Sequence, residues 1–238
     1  MSTLVLTAHG SRDPRSGANA EAVADRVRRM RPGLDVRLAF LELNAPNFVD
    51  VLSGLPDARR AVVAPLLLAS AYHARLDIPE QIARAGARGI HQADVLGEDG
   101  RLVSVLRERL ADVGVSPLDG DLGVIVVAIG SSNLAANART AKVATRLAAD
   151  TQWAGTTTAF ATRPEASVAR AADQLRRRGA RRLVIAPWFL APGFITDGVS
   201  TFARDNGIRM AEPLGAHRLV AETVLDRYDA AAAADAAA

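Results

Sequence analysis

Cysteine is absent from the 238 residues. That excludes disulfides, a thiolate metal site, a catalytic thiol and a cysteine-ligated iron–sulfur cluster. Lysine is nearly absent too. Lys142 is the only one, and it lies between Ala141 and Val143, so there is no Gly-Lys-Ser/Thr of a P-loop and no ATP site of that kind. No Gly-x-Gly occurs, which removes the dinucleotide fingerprint, and no Gly-x-Ser-x-Gly marks a nucleophile elbow. Aromatic residues make up only 4% of the chain and do not interleave the basic cluster Arg176-Arg177-Arg178 and Arg181-Arg182. That cluster falls at the end of an expected helix, where cations complement the helix dipole, so no nucleic-acid partner is expected. No apolar run approaches the roughly 18 residues of a membrane span, and no basic segment precedes the first apolar stretch. The expectation is a soluble cytoplasmic protein without a membrane partner.

What is present begins with an apolar content of 49%, enough for a sizeable core, and a net charge of only +3 beside a pI near 10.1. The high pI reflects arginine in place of lysine. It suits planar recognition of carboxylate or phosphate, or it reflects a GC-rich codon bias.

The chain also repeats itself. Residues 4–11 read Leu-Val-Leu-Thr-Ala-His-Gly-Ser and residues 124–131 read Val-Ile-Val-Val-Ala-Ile-Gly-Ser, an offset of 120 (129 − 9). Residues 62–73, Val-Val-Ala-Pro-Leu-Leu-Leu-Ala-Ser-Ala-Tyr-His, correspond to 184–195, Val-Ile-Ala-Pro-Trp-Phe-Leu-Ala-Pro-Gly-Phe-Ile, an offset of 122 (195 − 73). Each half alternates strand-like runs with helical periodicity. Strands are expected at 3–8, 35–41, 60–68 and 90–95, with helices at 17–30, 46–52, 79–85 and 101–112. Asn44 is the expected cap of the second helix. The second half repeats the alternation, and residues 114–123 read as a linker. This predicts an α/β fold of two similar lobes related by internal duplication, each a four-stranded parallel sheet flanked by helices. The boundaries follow as 1–115 for the first lobe and 122–229 for the second, with an alanine-rich tail at 230–238.

The duplication separates scaffold from chemistry. Ligands of an open parallel sheet bind beyond the carboxyl ends of its strands. His9 follows the first strand, Glu42 ends the second and His73 lies after the third. In strand order 2-1-3-4 these ends are neighbours. Two imidazoles and a carboxylate there suit a divalent ion such as Fe, Co, Ni or Zn. The second half has Ile129, Thr162 and Ile195 at the corresponding positions, so the whole set is lost together. Glu42 also admits a plain reading as a carboxylate near a helix N-terminus. His91 and His217 have no such pattern and read as structural or surface residues. The apolar loop from Trp188 to Ile195 would either cover an apolar ligand face or pack in the core.

The motif His9-Gly10-Ser11-Arg12-Asp13-Pro14, with Glu42 and the run from Pro65 through His73, Arg75 and Asp77 to Pro79, resembles the sirohydrochlorin chelatases, in their two-domain, ATP-independent class II form. The resemblance covers nearly the whole chain and is specific in the first half. It implies insertion of Fe2+ or Co2+, or Ni2+ as in some relatives, into sirohydrochlorin, giving sirohaem or a cobalt precursor of cobalamin. The metal is then a substrate and no ATP is used. It implies that His9 and His73 bind metal, with Glu42 as a further ligand or proton acceptor, and that both lobes act in one monomeric chain. Arg12 and Arg75 are the expected partners of substrate carboxylates, and Gly10 and Ser11 offer backbone N–H groups at a strand-to-helix turn. A non-catalytic protein that holds metal or tetrapyrrole is the alternative from a different class. A histidine phosphatase would want arginine where Ala8 stands.

Overall fold

A computed structural model describes residues 3–56, 61–70, 73–86, 89–162 and 164–236. Its residues divide into two compact units, one of Met1–Asp99 with Ala216–Ala238, the other of Gly100–Gly215.

Unit 1 begins with β1 (Thr3–Ala8), α1 (Pro14–Met30), β2 (Asp35–Phe40), α2 (Phe48–Ser53) and β3 (Ala61–Pro65). A π-helical turn, His73–Asp77, then runs into α3 (Ile78–Ala85), followed by β4 (Ile90–Gln92). The sheet is wholly parallel in order β2-β1-β3-β4. Its central strands are mostly apolar, with Leu4, Val5, Leu6 and Val63 sealed from solvent and Thr3 and Thr7 buried beside them, as suits a sheet covered on both faces. Val5, Ala39 and Val63 share a core with Phe48 and Leu52 of α2 and Ile78 of α3.

Unit 2 repeats the plan. It comprises α4 (Gly100–Asp112), β5 (Leu122–Ala128), α5 (Leu134–Leu147), β6 (Gly155–Phe160), α6 (Pro164–Arg177), β7 (Arg182–Pro187), α7 (Phe194–Asp205) and β8 (Arg209–Met210). The order is β6-β5-β7-β8, again parallel. Ile125, Ala159 and Ile185 hold the core positions of Val5, Ala39 and Val63 and pack with Val168, Leu175 and Val199.

The packing departs from the boundaries read off the repeat. Helix α4 follows the first sheet in sequence but packs against α5 and β7. Arg109 fixes it to unit 2 by donating to the carbonyls of Pro213 and Leu214, both at 3.2 Å. The last helix, α8 (Arg218–Ala236), packs against α1, β3 and β4 of unit 1. Arg227 secures it to the Val95 and Leu96 carbonyls, both at 3.1 Å, and to Asp99 at 2.9 Å. The alanine-rich stretch continues α8 as far as Ala236, with Asp235 2.6 Å from His91 Nε2. His217 Nδ1 accepts the Leu219 N–H at the helix start. Both histidines therefore have structural partners, as expected from sequence.

Candidate active site

The site starts from the backbone at the ends of β1 and β2. The ladder continues past both strands, with Leu41 N–H donating to Ala8 O at 3.0 Å and Glu42 N–H to His9 O at 3.1 Å. Gly10 has φ +100°, and a Cβ on it would fall 1.8 Å from Glu42 O. Only glycine allows both that conformation and that approach. The result brings His9 Nε2 to 3.2 Å from Glu42 Oε1, with the side chains 36% and 54% exposed. His9 Nδ1 lies 3.2 Å from Gly10 O. An imidazole N–H given to that carbonyl leaves the Nε2 lone pair facing the carboxylate. A nitrogen donor and an oxygen donor are then directed toward each other, an arrangement suited to a cation.

The turn after β1 is braced from two sides. Asp13 N–H donates to Ser11 Oγ at 3.0 Å, and Asp13 Oδ1 accepts the Arg15 N–H at 3.0 Å as the cap of α1. The Arg15 guanidinium also grips Asp13, at 2.6 Å, and holds its carboxyl below the ordinary value of 3.8. Ser11 N–H donates to Asn44 Oδ1 at 2.6 Å. This corrects two expectations. The Ser11 N–H is engaged within the protein rather than open to a substrate carboxylate. Asn44 is not the cap of α2; Asn47 is, accepting the Val49 N–H at 2.9 Å. The helix starts later than expected because Phe40 N–H donates to Pro46 O and Asn47 still bridges Phe40 in strand fashion.

His73 opens the π-helical turn after β3; its side chain lies outside the described residues. Sequence gave no warning of the π turn, a geometry common at functional sites. Gln92 on β4 donates to Ala74 O at 2.7 Å and ties the turn to the sheet edge. Gln81 Nε2 donates to Asp77 Oδ1 at 2.9 Å. Arg75 and Arg12 are both exposed. Among the described residues, no group of three or more His, Asp or Glu is placed to hold a metal ion. The described part of the expected set is the His9–Glu42 pair. The Trp188–Ile195 loop divides: Trp188 and Phe189 are buried in unit 2, whereas Phe194 and Ile195 are exposed.

The profile of the CbiX family matches residues 3–113 and 123–231. The chain belongs to the CbiX family. Among similar CbiX-like proteins, the sirohydrochlorin ferrochelatase of Priestia megaterium is 28% identical over 209 residues, covering 84% of this chain and 77% of that one. The sirohydrochlorin cobaltochelatase of the same organism is 28% identical over 207 residues, covering 82% of this chain and 66% of that one. The fold matches SirB from Bacillus subtilis with Fe3+, with TM-score 0.81, 24% identity, and 98% and 96% of the two chains covered. It also matches CbiX described as the terminal enzyme of sirohaem biosynthesis in denitrifying bacteria, with TM-score 0.72, 23% identity, and coverage of 97% and 99%. As in a CbiX profile matched twice, each half of this chain carries one copy of the fold. Among the described residues, no helix is long and apolar enough to cross a membrane.

Proposed function

We propose that the chain inserts a divalent metal ion, Fe2+ or Co2+, into sirohydrochlorin, using one site per chain. The observation that carries this reading is the His9–Glu42 pair. In a chain of the CbiX family, an imidazole and a carboxylate meet at 3.2 Å beyond the sheet, and the same two positions of the duplicate are Ile129 and Thr162.

Insertion replaces two pyrrole N–H protons by the metal, so two protons leave for each ion that enters. Metal ligation requires His9 Nε2 and the Glu42 carboxylate to be unprotonated, so M2+ and protons compete for the same two groups. Handing the ion to the macrocycle frees both groups, which can then accept one of the two departing protons while the other passes to solvent water. His73 is the second imidazole of this proposal, on motif and repeat. Glu42 serves as ligand before transfer and as proton acceptor after it. Arg12 and Arg75, exposed near His9 and His73 in sequence, pair with carboxylates at the rim of the substrate. Gly10 keeps the turn close to Glu42. The reaction needs no ATP, because a tetrapyrrole's nitrogens bind the ion more favourably than imidazole, carboxylate and water. Ni2+ fits the same donors and follows the affinity order Ni over Co over Fe. The proposal includes a cytoplasmic monomer without nucleic-acid or membrane partners.

Purified protein mixed with sirohydrochlorin and Co2+ or Fe2+ should shift the absorption spectrum to that of the metallated product over many turnovers. Stoichiometric binding without turnover would instead identify a carrier of metal or tetrapyrrole. Mass of the protein in solution tests the monomer.

A further inference from the structure

Both units close the turn after their first strand with the same bond, a serine N–H given to an asparagine amide oxygen. They take that amide from opposite places. In unit 2, Ser131 N–H donates to Asn137 Oδ1 at 2.8 Å, and Asn137 Nδ2 donates back to Ser131 O at 2.7 Å. The exchange stays within the turn and its own helix, α5. In unit 1 the position of Asn137 is Gly17 (137 − 120), and the amide comes from Asn44, two residues past Glu42. The counterpart of Asn44 is Pro164 (44 + 120), which has no side-chain amide. The two changes are complementary. A Cβ added to Gly17 would meet Asn44 Nδ2 at 3.9 Å, an ordinary contact, so the Asn44 amide lies beside the position from which a residue-17 side chain would start.

The loop that carries Glu42 and Asn44 is itself strained. Leu43 adopts φ 65° with its side chain 58% exposed, and Asn44 N–H folds onto Glu42 O at 2.8 Å. A left-handed backbone is unfavourable for leucine by about 1 kcal/mol or more. A turn that only needed its N–H satisfied could use the local solution of unit 2. The longer reach does one thing that the local bond cannot: beyond the Glu42 N–H to His9 O bond that both units have in equivalent form, it adds a side-chain tie between the loop bearing His9 and the loop bearing Glu42.

We infer that Asn44 is a positioning residue, clamping the β1–α1 turn to the β2–α2 loop so that His9 and Glu42 are held at the spacing needed to take and release the metal ion. This rests on the metal-handling role proposed for that pair. Full-length wild type, Asn44→Ala, Asn44→Asp and the double variant Gly17→Asn/Asn44→Ala separate clamping from bracing. Each is measured for thermal midpoint, for binding of Co2+ alone by calorimetry, and for kcat and KM of Co2+ insertion. Asn44→Ala should lower the midpoint, weaken Co2+ binding and reduce kcat at least tenfold, the scale of lost support behind a metal ligand, with KM for sirohydrochlorin within about twofold. Asn44→Asp keeps the acceptor and should keep kcat within about threefold. The double variant copies unit 2, so it should recover the midpoint but not kcat or Co2+ affinity. Recovery of all three would make Asn44 a brace for the turn only and overturn the inference, as would an Asn44→Ala protein with unchanged kcat and Co2+ binding. If wild type inserts no metal, the proposed function fails by itself, and the Co2+ calorimetry still decides whether Asn44 sets the geometry of the pair.

Discussion

The two units have the same backbone at the ends of their first two strands and different surfaces there. Ala161 and Thr162 donate to Ala128 and Ile129 as Leu41 and Glu42 do to Ala8 and His9. Asn133 accepts the Ala135 N–H as Asp13 accepts that of Arg15, and Ser131 accepts from Asn133 as Ser11 does from Asp13. On this shared frame unit 1 sets His9 against Glu42, while unit 2 exposes Ile129. After the third strand unit 1 has a π turn tied by Gln92, and unit 2 has an ordinary helix whose first residues are held by Thr196 on both the N–H and the carbonyl of Gly193. Met210 occupies the register position of Gln92, so the tie disappears with the turn. Backbone register alone is therefore compatible with either surface. The polar site has its own additions: His9, Glu42, Asn44 and Gln92.

Breaking the asymmetry at its foundation should have the largest effect. A chain ending at His217 loses α8, whose Val220, Ala221, Val224, Leu225 and Tyr228 are buried. At roughly 1.5–3 kcal/mol per large buried side chain, the loss should exceed about 5 kcal/mol and match the whole stability of a small unit. Urea unfolding followed by circular dichroism should show unit 1 unfolded and unit 2 retained. Next comes His9→Ala, expected to slow metal insertion by about a hundredfold or more, if loss of a direct ligand exceeds the loss of its support; stopped-time absorption spectra give the rate, and an unchanged rate would remove His9 from the site. A third comparison sets Gly10→Ala against Gly130→Ala. The first puts a Cβ 1.8 Å from a carbonyl oxygen, the second 3.0 Å from the Phe160 Cβ and Thr162 Oγ1. Both add left-handed strain of about 1–2 kcal/mol, so the excess for Gly10, read from urea midpoints, should be about 2 kcal/mol. The converse graft, Ile129→His with Thr162→Glu in a His9→Ala background, should create weak Co2+ binding seen by calorimetry and no insertion, because unit 2 lacks the clamp and the π turn.

The smallest effect concerns acid. The Arg15 hydrogen bond lowers the Asp13 carboxyl below 3.8. A carboxyl depressed on folding contributes stability above its unfolded value, and that contribution fades as pH falls through the lower folded value. Asp13→Asn keeps the cap, as Asn133 does, and discards the charge. Its thermal midpoint should therefore fall less steeply than wild type as pH drops below the ordinary carboxyl value of 3.8.

Much of this was legible in the residues. Apolar runs and helical periodicity located the strands and most helices, and the duplicated runs predicted two parallel sheets and singled out His9, Glu42 and their adjacency. What stayed hidden depends on partners rather than patterns. Helices α4 and α8 each bury an apolar stripe, Leu102, Val105 and Leu106 in one and Val220, Val224 and Leu225 in the other, and a stripe does not say which sheet it will cover. Asn44 looked like a cap because capping is the commonest use of asparagine before a helix; its bond to Ser11 spans 33 positions. Five residues of π turn are too few to show a period. Gln92, on an edge strand, carries no sign of reaching back to Ala74.

The traded helices also set an order of events in the living cell. Unit 2 has every element it needs once residue 215 has left the ribosome. Unit 1, which emerges before unit 2 and holds His9 and Glu42, stays without one of its layers until α8 has been made. Unit 1, though it begins before unit 2, is thus completed after it, and a nascent chain has no finished lobe around His9 and Glu42 until α8 has emerged.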